Sequence, residues 1–142
     1  MIVDRGLIFD LRVDTHNQWF VSLWVCIGER RAYTEFKIDT GCNSLVLSHK
    51  TLNKLGLSTD NENLSKLISI SGKLASGDTH TYKKLGAVLL FQDKGQTVQI
   101  CKADAICHST KETHDLLGTE VLRKFSNVSF GLNGDKYIEL KR

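Results

Sequence analysis

"FKIDTGCNSLVLS", Phe36–Ser48, is the stretch on which the reading of the fold turns. Two apolar residues, Phe36 and Ile38, lead into Asp39-Thr40-Gly41. A small polar step follows at Ser44, and Leu45-Val46-Leu47 then returns to apolar chemistry. Glycine two residues after an aspartate is common in plain turns, because the carboxylate bonds nearby backbone N–H groups and glycine accepts unusual dihedrals. Here both arms of the turn are apolar. Each arm can be buried, which would hold the carboxyl at the tip of an anchored loop.

Working outward, the flanks read mostly as strands. "WFVSLWVCI" is rich in aromatic and β-branched residues, Gly28-Glu29-Arg30 interrupts it, and "RAYTEFKID" completes a hairpin that ends at Asp39. "KLISISGKL" and "THTYKKLGAVLLF" flank Ala75-Ser76-Gly77-Asp78, a second hairpin with an exposed tip. "QTVQICKADAIC" is a further strand, entered through Asp93-Lys94-Gly95. Asn133-Gly134 sets a hairpin in "NVSFGLNGDKYIEL". Short strands separated by turn signals indicate an all-β barrel or sandwich.

Two short helices interrupt the strands. Ser48 caps "HKTLNKL", Leu52 and Leu55 face the core, and Gly56 takes the C-terminal cap with Leu57 as its apolar partner. After Gly118, "TEVLRKF" puts Val121, Leu122 and Phe125 on one face. "STDNENLSK", residues 58–66, reads as a polar loop.

Bulk properties bound the function. The chain has 142 residues, the size of one domain, so residues 1–142 read as a single unit. Hydrophobic residues make up 41% and charged residues 25%, ordinary for a folded domain with its own core. A net charge of +3 makes no basic stripe and argues against a nucleic-acid partner. Asp4, Arg5, Asp10 and Arg12 break any signal-peptide core near the N-terminus. No stretch approaches the roughly 20 apolar residues of a membrane span. The expectation is a cytoplasmic protein with no membrane partner.

Cys26, Cys42, Cys101 and Cys107 read as reduced, mostly buried thiols, since no secretion signal supports disulfides. Cys101, Cys107, His108 and His114 match no zinc-ligand spacing, so no metal is expected. The histidines, His16, His49, His80, His108 and His114, read as surface or loop residues. A Ser-His-Asp or Cys-His nucleophile is the rival enzyme class, with Cys42 close to Asp39, but sequence alone places no histidine beside a nucleophile.

Downstream, "DLLGTEVLRKF", Asp115–Phe125, places two leucines and a glycine ahead of the second helix. The pair of motifs, with a hairpin between them, resembles the retropepsin-like aspartic proteases from about Trp19 to Leu140. The resemblance implies a closed barrel with a flap hairpin and one or two short helices. It implies that Asp39 is the catalytic aspartate and that Thr40 stiffens the site by bonding across to a partner loop. Gly41 lets the loop turn and approach substrate. Leu116, Leu117 and Gly118 pack behind the loop, and the flap tip is Ala75, Ser76 and Gly77. Cys42 stands where the family most often has alanine. Asn43 stands where viral members often have a carboxylate that contacts substrate backbone.

The implied chemistry needs two carboxyls. One takes a proton from water while the other protonates the peptide carbonyl, with no covalent intermediate, metal or organic cofactor. Only Asp39 has the full Asp-Thr-Gly; Asp14-Thr15-His16 and Asp78-Thr79-His80 lack the glycine. The second aspartate must then come from a second chain, giving a homodimer that cleaves an extended peptide or protein. Within this resemblance the C-terminal "KYIEL" is an interface element. The alternative is an inactive retropepsin-like dimer that binds protein, because fold does not fix activity.

Overall fold

The computed structural model of the chain describes residues 6–57, 69–73, 79–93, 95–108 and 114–142. The polar loop at 58–66 and the expected flap tip, Ala75, Ser76 and Gly77, lie outside the described residues.

The two long alternating segments form the expected hairpin. Strand β3 (Trp19–Ile27) pairs antiparallel with β4 (Arg30–Ile38), from Phe20↔Lys37 to Ile27↔Arg30. Gly28 turns the chain at φ 61°, a left-handed conformation that suits glycine. The arms of the second hairpin are β6 (Ser69–Lys73) and β7 (Thr79–Asp93), paired from Ser69↔Lys83 to Lys73↔Thr79. Strand β8 (Gln96–His108) returns along β7 after Gly95, which has φ 81°.

Two three-residue strands close the barrel. Strand β5 (Leu45–Leu47) pairs parallel with β8, and β9 (Asp115–Leu117) lies between β4 and β5. Strand β9 runs parallel to β4, with Ile38↔Leu117, and antiparallel to β5, with Leu45↔Leu117. Strands β3 and β7 also pair, so the ring β3–β4–β9–β5–β8–β7 closes on itself. The chain is all-β with a closed barrel. Phe36, Leu45, Leu47, Leu52, Leu89 and Leu117 fill its core and are fully buried. Each such side chain contributes on the order of 1.5–3 kcal/mol through removal from water.

Outside the barrel, β1 (Leu7–Asp10), β11 (Tyr137–Lys141) and β10 (Asn127–Gly131) make a three-stranded sheet with β11 in the middle. Gly134 turns the β10–β11 hairpin at φ 69°. The two-residue β2 (Arg12–Val13) adds to the edge of β3.

Helix α1 (His49–Lys54) forms as its caps specify. The Ser48 side chain accepts from the Thr51 N–H, Gly56 adopts φ 69°, and Leu57 N–H donates to the Leu52 carbonyl at 2.7 Å. Helix α2 (Thr119–Leu122) is shorter than "TEVLRKF" suggested. Beyond Leu122 the chain tightens into turns, with Lys124 N–H to Val121 O at 3.1 Å and Phe125 N–H to Leu122 O at 3.3 Å. Phe125 still reaches the core by this route. No helix among the described residues is long and apolar enough to cross a membrane.

Candidate active site

Strand β4 delivers Asp39 to the mouth of the barrel. The Asp39 N–H donates to the Leu117 carbonyl at 3.1 Å, one step past the last β4–β9 pair. The chain then turns at once: Cys42 N–H donates to the Asp39 carbonyl at 3.1 Å. Within that turn the Gly41 N–H donates to Asp39 Oδ1 at 3.0 Å and so orients the carboxyl. A Cβ on Gly41 would sit 3.2 Å from the same oxygen, which crowds the position. The Asp39 side chain is half-buried; Thr40, Gly41 and Asn43 are exposed.

The loop is gripped from behind by the second motif. Leu117 is buried and lies between Ile38 on one arm and Leu45 on the other. The first N–H groups of α2 then reach into the loop. Thr119 N–H donates to the Cys42 carbonyl at 2.9 Å, and Glu120 N–H to the Asn43 carbonyl at 2.7 Å. These bonds satisfy helix N-terminal donors and loop acceptors together. Thr119 Oγ1 also donates to Asn43 Oδ1 at 3.4 Å. Leu116, Leu117 and Gly118 thus lie directly behind Asp39–Asn43, while the expected flap residues are outside the described region.

Gly118 is required for this packing by space, not by conformation. Its φ of −92° and ψ of −174° are open to any residue. A Cβ there would meet the Ser44 carbonyl oxygen at 2.5 Å, the Cys42 carbonyl oxygen at 2.6 Å and the Asn43 carbonyl carbon at 2.8 Å. All three are backbone atoms of the aspartate loop.

Asp115 is a buried residue that sequence reasoning passed over. Its Oδ2 accepts from Thr34 Oγ1 at 2.5 Å and from Thr51 Oγ1 at 2.6 Å, and its Oδ1 accepts from Ser48 N–H at 2.7 Å. One carboxyl therefore joins β4, the N-terminus of α1 and β9. Only the apolar character of the surrounding residues marked this segment in the sequence; a polar core residue leaves no periodic signature.

Replacing Asp115 by alanine leaves a backbone N–H and two hydroxyls short of their acceptor. We expect Asp115→Ala to lower stability by about 2–4 kcal/mol, because each orphaned buried donor costs about 1–3 kcal/mol and the two threonines can partly pair with each other. Asp115→Asn keeps an acceptor and adds a donor that the hydroxyls can accept, so it should cost about 1 kcal/mol. Urea melts that ranked the two variants equally would contradict this account of the network.

The other Asp-Thr pair within the described residues is occupied. Asp14 Oδ1 accepts from Gln18 N–H at 2.8 Å and from His16 N–H at 2.9 Å, in a turn that puts Asn17 at φ 59°. Those bonds, the Gln18 one first, hold the Asp14 carboxyl below the usual range. Asp14 is a turn aspartate.

The three described thiols, Cys26, Cys42 and Cys101, are half-buried and not deeply sunk in the core, where mostly buried cysteines were expected. Cys26 and Cys101 sit at the barrel wall, and burial pushes both thiols up. Cys42 Sγ lies 3.5 Å from the Ser44 carbonyl. Cys107 side-chain placement lies outside the described residues. The described histidine nearest the second motif, His114, packs its ring 5.7 Å from that of Phe20.

A solved structure shares this architecture: a retropepsin-like aspartic protease from Rickettsia conorii, with a TM-score of 0.63 over 96% of this chain and 90% of that one. The chain has a retropepsin-like fold. Sequence identity across the alignment is 16%, so the likeness speaks for the fold and not for the residues of the site. No protein-family model and no curated protein matches the sequence. In the retropepsin-like fold of this chain, the threaded strand β9 and the Asp39 loop form one unit held by backbone hydrogen bonds.

Proposed function

We propose that the protein is an aspartic endopeptidase whose site forms from the Asp39 loops of two copies. The observation that carries this is the loop itself. A half-exposed carboxyl stands at the end of a barrel strand, oriented by Gly41 N–H and fixed from behind by β9 and α2. Support also comes from Asp14, whose carboxyl is tied up in its own turn, so the described residues of one chain offer one such loop.

In this reading the two Asp39 carboxyls lie roughly 3 Å apart and hold a water between them. One carboxyl takes a proton from that water as it attacks the peptide carbonyl, and the other protonates the carbonyl oxygen. Thr40 braces the pair by reaching the partner loop. Asn43 receives substrate backbone without adding charge. The β6–β7 hairpin carries the flap, with its tip at Ala75, Ser76 and Gly77, and the substrate is an extended peptide that pairs beneath it as an added strand. No metal or organic cofactor takes part.

The test is hydrolysis of a peptide library at acidic pH by the parent protein and by Asp39→Asn. Cleavage by the parent that the variant loses supports the proposal. A dimeric parent that cleaves nothing favours the other reading, a binding module that keeps the fold.

Cys42 gives a second, independent check. Its side chain makes a weak S–H···O contact with the Ser44 carbonyl, while its backbone N–H and carbonyl tie the loop. Cys42→Ala should therefore keep peptide hydrolysis within about twofold, since alanine leaves both backbone bonds in place. Alkylation that stopped the parent but not the alanine variant would point to a thiol switch. Loss of activity in the untreated alanine variant would point to a cysteine nucleophile.

A further inference from the structure

We infer that the groove beside the Asp39 loop, between Asn43 and α2, is a subsite for an acidic residue of the peptide, held by Arg123 and Lys124. The inference rests on the reading that Asp39 carries peptide hydrolysis, and it names the kind of peptide that the site prefers.

An open groove of about 500 Å³ starts at Asn43, on the same loop as Asp39, and runs along Thr119, Glu120, Arg123 and Lys124. Its two walls are tied together. Thr119 N–H and Glu120 N–H donate to the Cys42 and Asn43 carbonyls at 2.9 and 2.7 Å, so the groove keeps its place relative to the Asp39 carboxyl. Asn43, Glu120, Arg123 and Lys124 are all exposed, and their polar ends line an accessible surface.

The charges in this groove do not cancel. Arg123 and Lys124 follow Glu120 by three and four residues, a spacing at which ion pairs form along a regular helix. Among the described residues, neither is joined to Glu120 by an ion pair. The backbone gives the reason. Helix α2 ends at Leu122, and the Lys124 N–H bonds to the Val121 carbonyl at 3.1 Å in a tightened turn, so the stacking of a regular helix is lost. Asn43 adds no charge of its own. Past Glu120 and Lys124 an adjoining groove brings in Lys102 and Asp104, one charge of each sign. Two cations against the Glu120 carboxylate leave the part nearest the Asp39 loop net positive.

A peptide lying extended over Asp39 and Asn43 turns alternate side chains toward the protein. A carboxylate that falls over this groove meets the planar fork of Arg123, which suits two parallel N–H···O bonds, and the Lys124 ammonium. A lysine or arginine in the same place meets two like charges. A neutral side chain gains no charge-assisted bond. Glu120 alone favours a basic residue, and the two cations outweigh it.

The test starts from a peptide that the parent cleaves and places glutamate, glutamine or lysine in turn at each position on either side of the scissile bond. At one position kcat/KM for glutamate should exceed that for glutamine about threefold or more at low salt, as a partly exposed charge pair allows, with lysine the poorest. The difference should lie in KM and shrink as salt is raised. It should disappear in the Arg123→Gln/Lys124→Gln double variant and widen in Glu120→Gln. Each ratio compares two peptides on one protein, so a variant that is only partly folded still reports it. Binding gives a second readout. Asp39→Asn keeps the groove, and in fluorescence anisotropy it should hold the labelled glutamate peptide more tightly than the glutamine one. Equal rates for glutamate and glutamine at every position, or a preference for lysine, overturn the inference; the Asp39 reading stands if Asp39→Asn still abolishes cleavage. A glutamate preference that the double variant keeps also overturns it, because the carboxylate is then held elsewhere. Tighter binding of the glutamate peptide by a protein that cleaves nothing supports the groove and removes the catalytic reading.

Discussion

Asp39→Asn should abolish peptide hydrolysis and leave the molecule folded. The reason for the first half is that asparagine has no ionisable proton. In the two-carboxyl mechanism each dimer variant would carry two amides where a proton must be taken and given, and positioned acid–base groups contribute about 10²–10⁴-fold to rate. A drop of at least that size in kcat/KM is expected. The reason for the second half is local. The Asp39 carboxyl accepts from Gly41 N–H through Oδ1, and an amide oxygen can accept the same bond. The ties that hold the loop are backbone bonds to Leu117, Cys42, Thr119 and Glu120, none of which involves the side chain. The melting temperature should stay within a few degrees of the parent. A variant that cleaved peptides at the parent rate would remove aspartic catalysis from consideration, and a variant that unfolded would mean that the carboxyl has a structural duty the geometry does not reveal.

The parts of this fold that were legible in the sequence are those whose signals are local. Aromatic and β-branched residues on either side of the Gly28-Glu29-Arg30 break announced β3 and β4, and glycines at 28, 95 and 134 marked turns that do adopt positive φ. Ser48 and Gly56 bracketed α1, and each cap makes the bond its residue type suggests. What escaped has a common cause. Strands β5 and β9 have three residues each, too few to show a period of two, and they become strands because the barrel gives them partners on both sides. Strand β1 carried a readable alternation, with Phe9 and Leu11 buried between exposed Ile8, Asp10 and Arg12, but its partner β11 lies at the far end of the chain. Pairing at that separation is invisible to a local window. The same holds for Asp115, whose three donors come from Thr34, Ser48 and Thr51. The Asp39 loop was found because its chemistry and its turn sit together in one short stretch. The reason Gly118 must be glycine was not readable, because it depends on backbone more than seventy residues away in sequence.

Gly118→Ala should damage the protein more than a methyl added to any other described glycine with ordinary backbone angles. The added Cβ would press on the Ser44 and Cys42 carbonyl oxygens at 2.5 and 2.6 Å and on the Asn43 carbonyl carbon at 2.8 Å. None of these is the end of a flexible side chain, so the strain cannot be relieved by a rotamer change. The loop must move away from β9 and α2, and the atoms that resist are those of the Thr119–Cys42 and Glu120–Asn43 hydrogen bonds, at 2.9 and 2.7 Å. Overpacking of this kind costs typically about 1–3 kcal/mol. For a domain of this size that is a fall of roughly 3–12 °C in melting temperature. Activity should suffer beyond stability. A displaced loop carries the Asp39 carboxyl with it, and a misplacement of about 1 Å in a reacting group can cost about 10²-fold. The fall should appear in kcat at temperatures where the variant is still fully folded. Gly86→Ala is the control, because a Cβ at Gly86 meets nothing within 4 Å and should change stability by less than about 0.5 kcal/mol. Gly131→Ala is the intermediate case. The three atoms nearest its Cβ all belong to the ring of Tyr137, an exposed side chain that can swing aside. The expected order of damage is therefore Gly118, then Gly131, then Gly86. Gly118→Ala melting with the parent would mean that the Leu116–Gly118 segment does not bear on the aspartate loop as tightly as these contacts require.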